Sequence, residues 1–252
     1  MLELKHIGEK YQDKNGEVEA LKDINISIRR GEFISIVGPS GCGKSTLLSI
    51  ISGLLKPSSG EIYIAGEPVD GISDKVGYML QKDNLLEWRT IYKNVILGLE
   101  IRHMLTEENT DYVKELLKTY GLYEFKDKYP AQLSGGMRQR AALIRTLATR
   151  PKILLLDEAF SALDYQTRLA VSQDVYQILK KENQTSVMVS HDIPEAISMA
   201  DRLVVLTKRP GTVKNIYDIV FDMENREPLK TRKAPEFSTY FNMIWSDLDV
   251  HL

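Results

Sequence analysis

The chain has 252 residues, 43% of them hydrophobic and 27% charged, with a formal net charge of -2. These are the proportions of a globular chain with a sizeable core, and they exclude any electrostatic case for a nucleic-acid partner. Its one cysteine, Cys42, cannot close an internal disulfide, which fits a reducing compartment. The opening Met1-Leu2-Glu3-Leu4-Lys5-His6 carries charge where a secretory signal needs an apolar run. No uninterrupted apolar stretch approaches the roughly 20 residues of a membrane-spanning helix. The expectation is a chain that is soluble by itself and reaches a membrane only through a partner.

The first third reads as strands. Val18 to Ile28 contains an alternating stretch (Ile24, Ile26, Ile28), and Phe33-Ile34-Ser35-Ile36-Val37 predicts a short buried strand that ends in a glycine loop. A helix is predicted from Lys44 to about Ser52, closed by Gly53, with further strands at Glu61-Ile64 and Val76-Leu80. From about Leu85 to Thr149 the pattern turns helical. Thr106 caps one predicted helix that ends before Gly121, and Ser134 caps another running through Arg138-Gln139-Arg140. After Pro151, the apolar runs Ile153-Leu154-Leu155-Leu156, Thr185-Val189 and Leu203-Leu206 predict central parallel strands, with a helix from about Asp164 to Glu182 between the first two. The result is an α/β nucleotide-binding core with a helical insert and a short tail.

Gly38-Pro39-Ser40-Gly41-Cys42-Gly43-Lys44-Ser45-Thr46 matches G-x-x-x-x-G-K-[ST] between a predicted strand and a predicted helix. Glycines let backbone N–H groups turn toward phosphate oxygens, and the helix N-terminus adds its positive dipole end. Lys44 then reaches the β- and γ-phosphates and Ser45 ligates Mg²⁺. The strand Ile153 to Leu156 delivers Asp157 and Glu158 to its C-terminal end, where open α/β sheets bind ligands. Asp157 is expected to hold Mg²⁺ and Glu158 to orient the attacking water. Leu133-Ser134-Gly135-Gly136-Met137 is a second capped, glycine-rich helix start. One triphosphate has no obvious need for two such ends from one chain, whereas a second copy facing the first accounts for both. An ordinary helix cap is the competing explanation. Cys42, beside Lys44 and a helix N-terminus, is expected to have a depressed thiol pKa, so that thiol reagents inhibit and MgATP protects. The alternative is a small residue filling the loop.

Taken together, the phosphate loop, Leu133-Ser134-Gly135-Gly136, Asp157-Glu158, Ser161-Ala162-Leu163-Asp164 and His191 resemble the ATP-binding cassette (ABC) family, in that family's order and across about Leu2 to Gly211. The resemblance implies a P-loop NTPase core of RecA type with a mostly parallel sheet, an N-terminal antiparallel β subdomain and an α-helical insert. It divides the chain into a core (1–84 and 150–225), a helical subdomain (85–149) and a tail (226–252). ATP and Mg²⁺ are the implied cofactors. Tyr11 falls where the family sets an aromatic ring against adenine, and Gln81 resembles its γ-phosphate and Mg²⁺ sensor. His191 resembles its γ-phosphate contact, and Asp164 the aspartate that communicates across the dimer. Ser134, Gly135 and Gly136 are implied to serve the nucleotide of a second cassette. Ala159 and Met137 depart from the family's frequent proline and glutamine, without removing a ligand or base.

Leu85-Leu86-Glu87-Trp88, Arg209-Pro210-Gly211 and the tail Pro235-Glu236-Phe237 to Ile244-Trp245 look like the importers of nitrate, sulfonates and taurine. That likeness implies permease subunits and, indirectly, an extracytoplasmic solute-binding protein, with the chain at the cytoplasmic face of the cell membrane. An exporter or lipid-extraction ATPase, and a non-transport cassette, stay open as alternatives. The charges at Lys208-Arg209 and from Arg226 to Lys233 are expected to be solvated surface, and no site is assigned to the tail.

Overall fold

A computed structural model describes residues 1–13 and 16–248, so residues 249–252 of the expected tail lie outside the described residues. In chain order the strands are β1 (Leu2–Asp13), β2 (Gly16–Ile28), β3 (Phe33–Val37), β4 (Ser59–Ile64), β5 (Glu67–Pro68), β6 (Val76–Met79), β7 (Ile153–Asp157), β8 (Thr185–Val189), β9 (Arg202–Leu206) and β10 (Val213–Asp218). The helices are α1 (Lys44–Ile51), α2 (Ile91–Val95), α3 (Leu97–Ile101), α4 (Glu107–Thr119), α5 (Gly135–Leu147), α6 (Tyr165–Lys181), α7 (Ile193–Met199), α8 (Pro228–Thr231) and α9 (Pro235–Asp247).

β3 and β8 are buried along their whole length, as is β7 but for Asp157. Strands without a polar face need cover on both sides, which parallel packing between helices supplies. They form the middle of a six-stranded sheet of order β10-β9-β3-β8-β7-β6, parallel except for the β9–β10 pair. β2, by contrast, alternates from Ile24 to Ile28 between buried and exposed positions, the signature of a sheet wet on one face. It pairs antiparallel with β1 in a second sheet of order β2-β1-β4-β5. Leu4, Ile24 and Ile26 from that sheet meet Ile34 and Ile36 of β3 and Leu47 and Leu48 of α1 in one apolar cluster.

The segment α2–α5 packs on the other face of the main sheet, where Val95, Leu117 and Ile144 join Leu154, Leu156 and Val175. Thr106 and Ser134 cap their helices as expected, accepting from Asn109 N and Met137 N. Two side chains fix the irregular chain between β6 and α2. Asn94 is fully buried; its Oδ1 accepts from Leu86 N at 2.7 Å and its Nδ2 donates to Leu86 O, Arg89 O and Thr90 O. Arg145 of α5 donates to Asn84 O at 2.7 Å and also to Asp83 O. The loop so held leaves Trp88 76% exposed.

The C-terminal segment, expected as a short tail with a solvated run of charge from Arg226 to Lys233, packs onto the core as far as residue 248. β10 extends the main sheet, and Ile244 of α9 is fully buried with Ile193 and Ile197 of α7 and Ile219. Arg226 is largely buried rather than solvated. It donates to Ile219 O and Ile197 O at 3.3 and 3.2 Å and to Ala200 O, and it lies 3.5 Å from Asp201. The reason is that α7 ends with unpaired carbonyls, and a guanidinium supplies several donors to such an end.

Candidate functional site

β3 lies beside β8, and β7 lies beside β8, so the C-terminal ends of these three strands form one row. The loop after β3 is Gly38 to Gly43, β7 ends in Asp157 with Glu158 next, and Ser190 and His191 follow β8. That row is the crevice in which open α/β sheets take ligands. A cavity of about 780 Å³ opens there. Tyr11, Val18 and Ala20, then Ser40, Gly41, Gly43, Lys44, Ser45 and Thr46, and finally Glu158, His191 and Arg209 line it.

The phosphate loop is fixed by close approach as much as by hydrogen bonds. Gly43 has φ of 104°, and a Cβ there would stand 2.5 Å from Leu21 Cδ2. Gly43 precedes α1 without a side-chain cap, so the first amides of α1 are left for a ligand. Lys44 is 7% exposed, its ammonium donating to Gly38 O at 2.7 Å and Pro39 O at 3.0 Å. Gly38 therefore contributes a carbonyl to the lysine rather than a wall to the cavity. Tyr11 reaches in from β1 and donates from its hydroxyl to Thr46 Oγ1 at 3.3 Å.

Asp157 lies beneath this loop, with Oδ1 3.4 Å from the Ser45 hydroxyl and Oδ2 accepting from the Tyr78 hydroxyl at 3.0 Å. Burial pushes its carboxyl above the ordinary carboxylate value, against the Tyr78 hydrogen bond, which pulls the other way. A hydroxyl and a carboxylate, oxygen donors both, suit a hard divalent cation. Among the described residues no three His, Cys, Asp or Glu side chains cluster to hold a metal, so phosphate oxygens and water must complete any such sphere. The Ser45–Asp157 pair fits Mg²⁺ shared with a triphosphate.

Glu158 is in the left-handed region at φ 46°, a conformation that costs a non-glycine residue about 1–2 kcal/mol. Its N–H donates to Val189 O at 2.9 Å, which ties the end of β7 to the end of β8. Oε2 thereby comes within 3.2 Å of His191 Nδ1. Gln81 stands outside the cavity lining and donates from Nε2 to Ser161 Oγ at 2.9 Å; that hydroxyl in turn donates to Glu158 O at 2.9 Å.

Ser134, Gly135, Gly136 and Asp164 are absent from the cavity wall. Ser134 is exposed and caps α5, while Asp164 accepts from Thr167 N and caps α6. Cys42 corrects an expectation. It is 1% exposed, lies among the apolar residues beneath the loop, and has its thiol pushed up by burial, which outweighs the opposing pull of Lys44. Proximity to a lysine lowers a thiol pKa only where the thiolate stays solvated.

Arg209 is exposed, as expected, and it also lines the cavity, its Nε and Nη2 donating to Gly41 O at 3.2 and 3.1 Å. The following Gly211 makes this possible, since a Cβ there would lie 2.1 Å from Cys42 O. Tyr78 and Arg168 also belong to the surroundings of the site. No local motif marks them, because each acts on a loop far away in sequence.

A family model described as ABC transporter matches residues 21–161. The uncharacterized ABC transporter ATP-binding protein YtlC of Bacillus subtilis is 46% identical, with 98% of this chain and 95% of that protein covered. The nitrate import ATP-binding protein NrtD of Synechocystis is 39% identical, over 97% of this chain and 94% of its own length. The cassette MJ0796, solved as a post-hydrolysis dimer bound to ADP and Pi, superposes with a TM-score of 0.73 at 34% identity, covering 87% of this chain and 99% of that one. The chain belongs to the ABC transporter family and is one of its ATP-binding subunits, an ATPase.

Proposed function

We propose that two copies of this chain work as a pair that powers uptake of a small solute of the nitrate, sulfonate or taurine kind through separate permease subunits, at the cytoplasmic face of the cell membrane. An extracytoplasmic solute-binding protein delivers the cargo to the permease. The observation that carries the pairing is the division of the anion-binding groups: the loop Ser40 to Thr46 lines the cavity, while the glycine-rich start of α5 is turned elsewhere with Ser134 exposed. Each Leu133-Ser134-Gly135-Gly136 segment then closes the phosphate loop of the other copy. The solved MJ0796 dimer supports such pairing, and the nitrate importer among the relatives supports the direction of transport.

Within the pair, Tyr11 lies against adenine and the amides of Ser40 to Thr46 hold the phosphates, with Lys44 on the β- and γ-phosphates. Ser45 and Asp157, with Gln81, would hold Mg²⁺, which would offset the charge of the β- and γ-phosphates. Glu158 accepts hydrogen bonding from the attacking water and aligns it, and His191 contacts the γ-phosphate from beside it. Asp164 faces the partner. The body is divided for this work into a core with its β subdomain (1–84 and 150–225), a helical subdomain (85–149) and a C-terminal segment from 226. Between Gln81 and Trp88 runs the surface that meets the permease. Arg145 supports that segment on α5, whose other end carries Ser134, so closure of the pair moves the permease contact.

Affinity purification of the tagged chain from detergent-solubilised native membranes tests this. An integral membrane subunit together with a solute-binding protein is the expected result. A membrane subunit without any solute-binding protein would overturn uptake, and purely soluble partners would overturn transport.

A further inference from the structure

Between the loop that faces the partner and the loop that carries His191 stands one side chain, Arg168 of α6. Its Nη2 donates to Leu163 O at 2.9 Å and Ser161 O at 3.4 Å, and its Nη1 donates to Asp192 Oδ2 at 3.3 Å. Arg168 and Asp192 keep only 21% and 20% of their side-chain surface. Each end of this bridge is itself fastened. Ser161 Oγ donates to Glu158 O and accepts from Gln81 Nε2, so the segment from Glu158 to Asp164 carries both the carboxylate proposed for hydrolysis and the residue proposed to face the partner. On the far side, Asp192 Oδ1 accepts from Glu195 N at 2.9 Å and starts α7. Ser190 Oγ donates to Glu195 Oε2 at 2.7 Å, and Asp192 N donates to Ser190 Oγ at 3.0 Å. His191 therefore sits between two residues that are held from below, with its ring free to face Glu158 at 3.2 Å.

We propose that Arg168 is a positioning residue for hydrolysis: its guanidinium locks the Ser161–Asp164 loop to Asp192, so that docking of the partner against that loop sets the separation of Glu158 and His191. The inference deepens the reading of the site given above and rests on it. A planar guanidinium suits this work because its fork engages two carbonyls and a carboxylate at fixed angles, whereas an ammonium is a single point of charge. Any shift of the partner-facing loop is then passed to Asp192 rather than absorbed by a soft contact. Arg168 lines no part of the cavity, so its loss does not remove a contact to nucleotide.

The test compares Arg168→Met, Arg168→Lys, Asp192→Asn and the double variant Arg168→Met/Asp192→Asn by steady-state ATP hydrolysis and thermal unfolding. Displacement of reacting groups by about an ångström lowers kcat by on the order of 10- to 100-fold, and that is the fall expected of Arg168→Met. Its KM for ATP should stay within about 3-fold, because uniform binding is untouched. Lysine should recover part of kcat. The double variant should be no slower than about 2-fold below the worse single one, as two ends of one contact are not additive. If Arg168→Met does not fold, Arg168→Lys and Asp192→Asn give the same split of kcat from KM. Wild-type kcat in the Arg168 variants, a rise in KM equal to the fall in kcat, or additive losses in the double variant would overturn the proposal. The site reading itself fails on a different result, wild-type hydrolysis by Glu158→Gln.

Discussion

Glu195 is 4% exposed, and its carboxylate is held by the hydroxyls of Ser190 at 2.7 Å and Ser172 at 3.4 Å. Burial pushes this carboxyl above its ordinary value of 4.5, and the Ser190 hydrogen bond opposes that rise only in part. A carboxyl whose folded value lies above its unfolded one favours the folded state while protonated. That contribution is complete below the unfolded value and is lost as pH rises through the folded one. Glu195→Gln keeps an acceptor for Ser190 without a charge to bury. Its stability relative to the wild type should rise as pH increases from 4.5 to 8, measured by urea unfolding at each pH. An unchanged difference across that range would show that the buried carboxyl is not the source. Cys42 is another deeply placed titratable group beside the site. The native protein should leave it unreacted with thiol reagents, releasing one equivalent only on unfolding, and hydrolysis should survive treatment. Fast labelling of the native chain would contradict its placement in the core. The phosphate loop shows how far a sequence can be read: its residues follow a contiguous pattern, so lysine, serine and glycines were all legible. Cys42, however, belongs to an apolar cluster with Leu21 and Leu206, residues remote in the chain, and no local pattern carries that.

Strands and helices were legible where a single physical period governed them. β3, β7 and β8 are apolar throughout because both faces are covered, and Thr106, Ser134 and Asp164 cap helices because their side chains accept from backbone N–H groups three residues on. The packing of the C-terminal segment was not, since the run of charges from Arg226 to Lys233 suits a surface and only tertiary partners bury Arg226. Arg226 decides that region. Replacing it with methionine leaves Ile197 O, Ile219 O and Ala200 O without its donors and one side of Asp201 open, although Lys180 still reaches Asp201 at 2.9 Å. Loss of such a buried charged partner should cost about 3 kcal/mol in stability, read as a lower denaturant midpoint. A change below about 0.5 kcal/mol, as for an ordinary surface position, would restore the solvated reading.

In the closed two-fold pair proposed above, each catalytic site would take its phosphate loop from one copy and its Ser134 from the other. This makes a prediction that no single-chain site can satisfy. Lys44→Ala disables the phosphate loop of a chain but leaves its Ser134 intact, and Ser134→Arg does the reverse. Either variant alone gives two damaged sites per pair and should hydrolyse ATP only at background. In a mixed pair, the damage collects in one site, which receives both substitutions, while the other receives an intact loop and an intact Ser134. Random pairing of equal amounts makes half the pairs mixed, so about a quarter of all sites are restored. Hydrolysis should therefore appear on mixing two inactive proteins, growing with total concentration as pairs form. In the same way Glu158→Gln, which holds ATP without cleaving it, should run at twice the monomer mass on gel filtration with MgATP and as a monomer without. If the mixture stays inactive while Glu158→Gln still doubles in mass, the pair forms but each site is completed within its own chain. That outcome would move Ser134 from the partner's nucleotide to a plain helix cap.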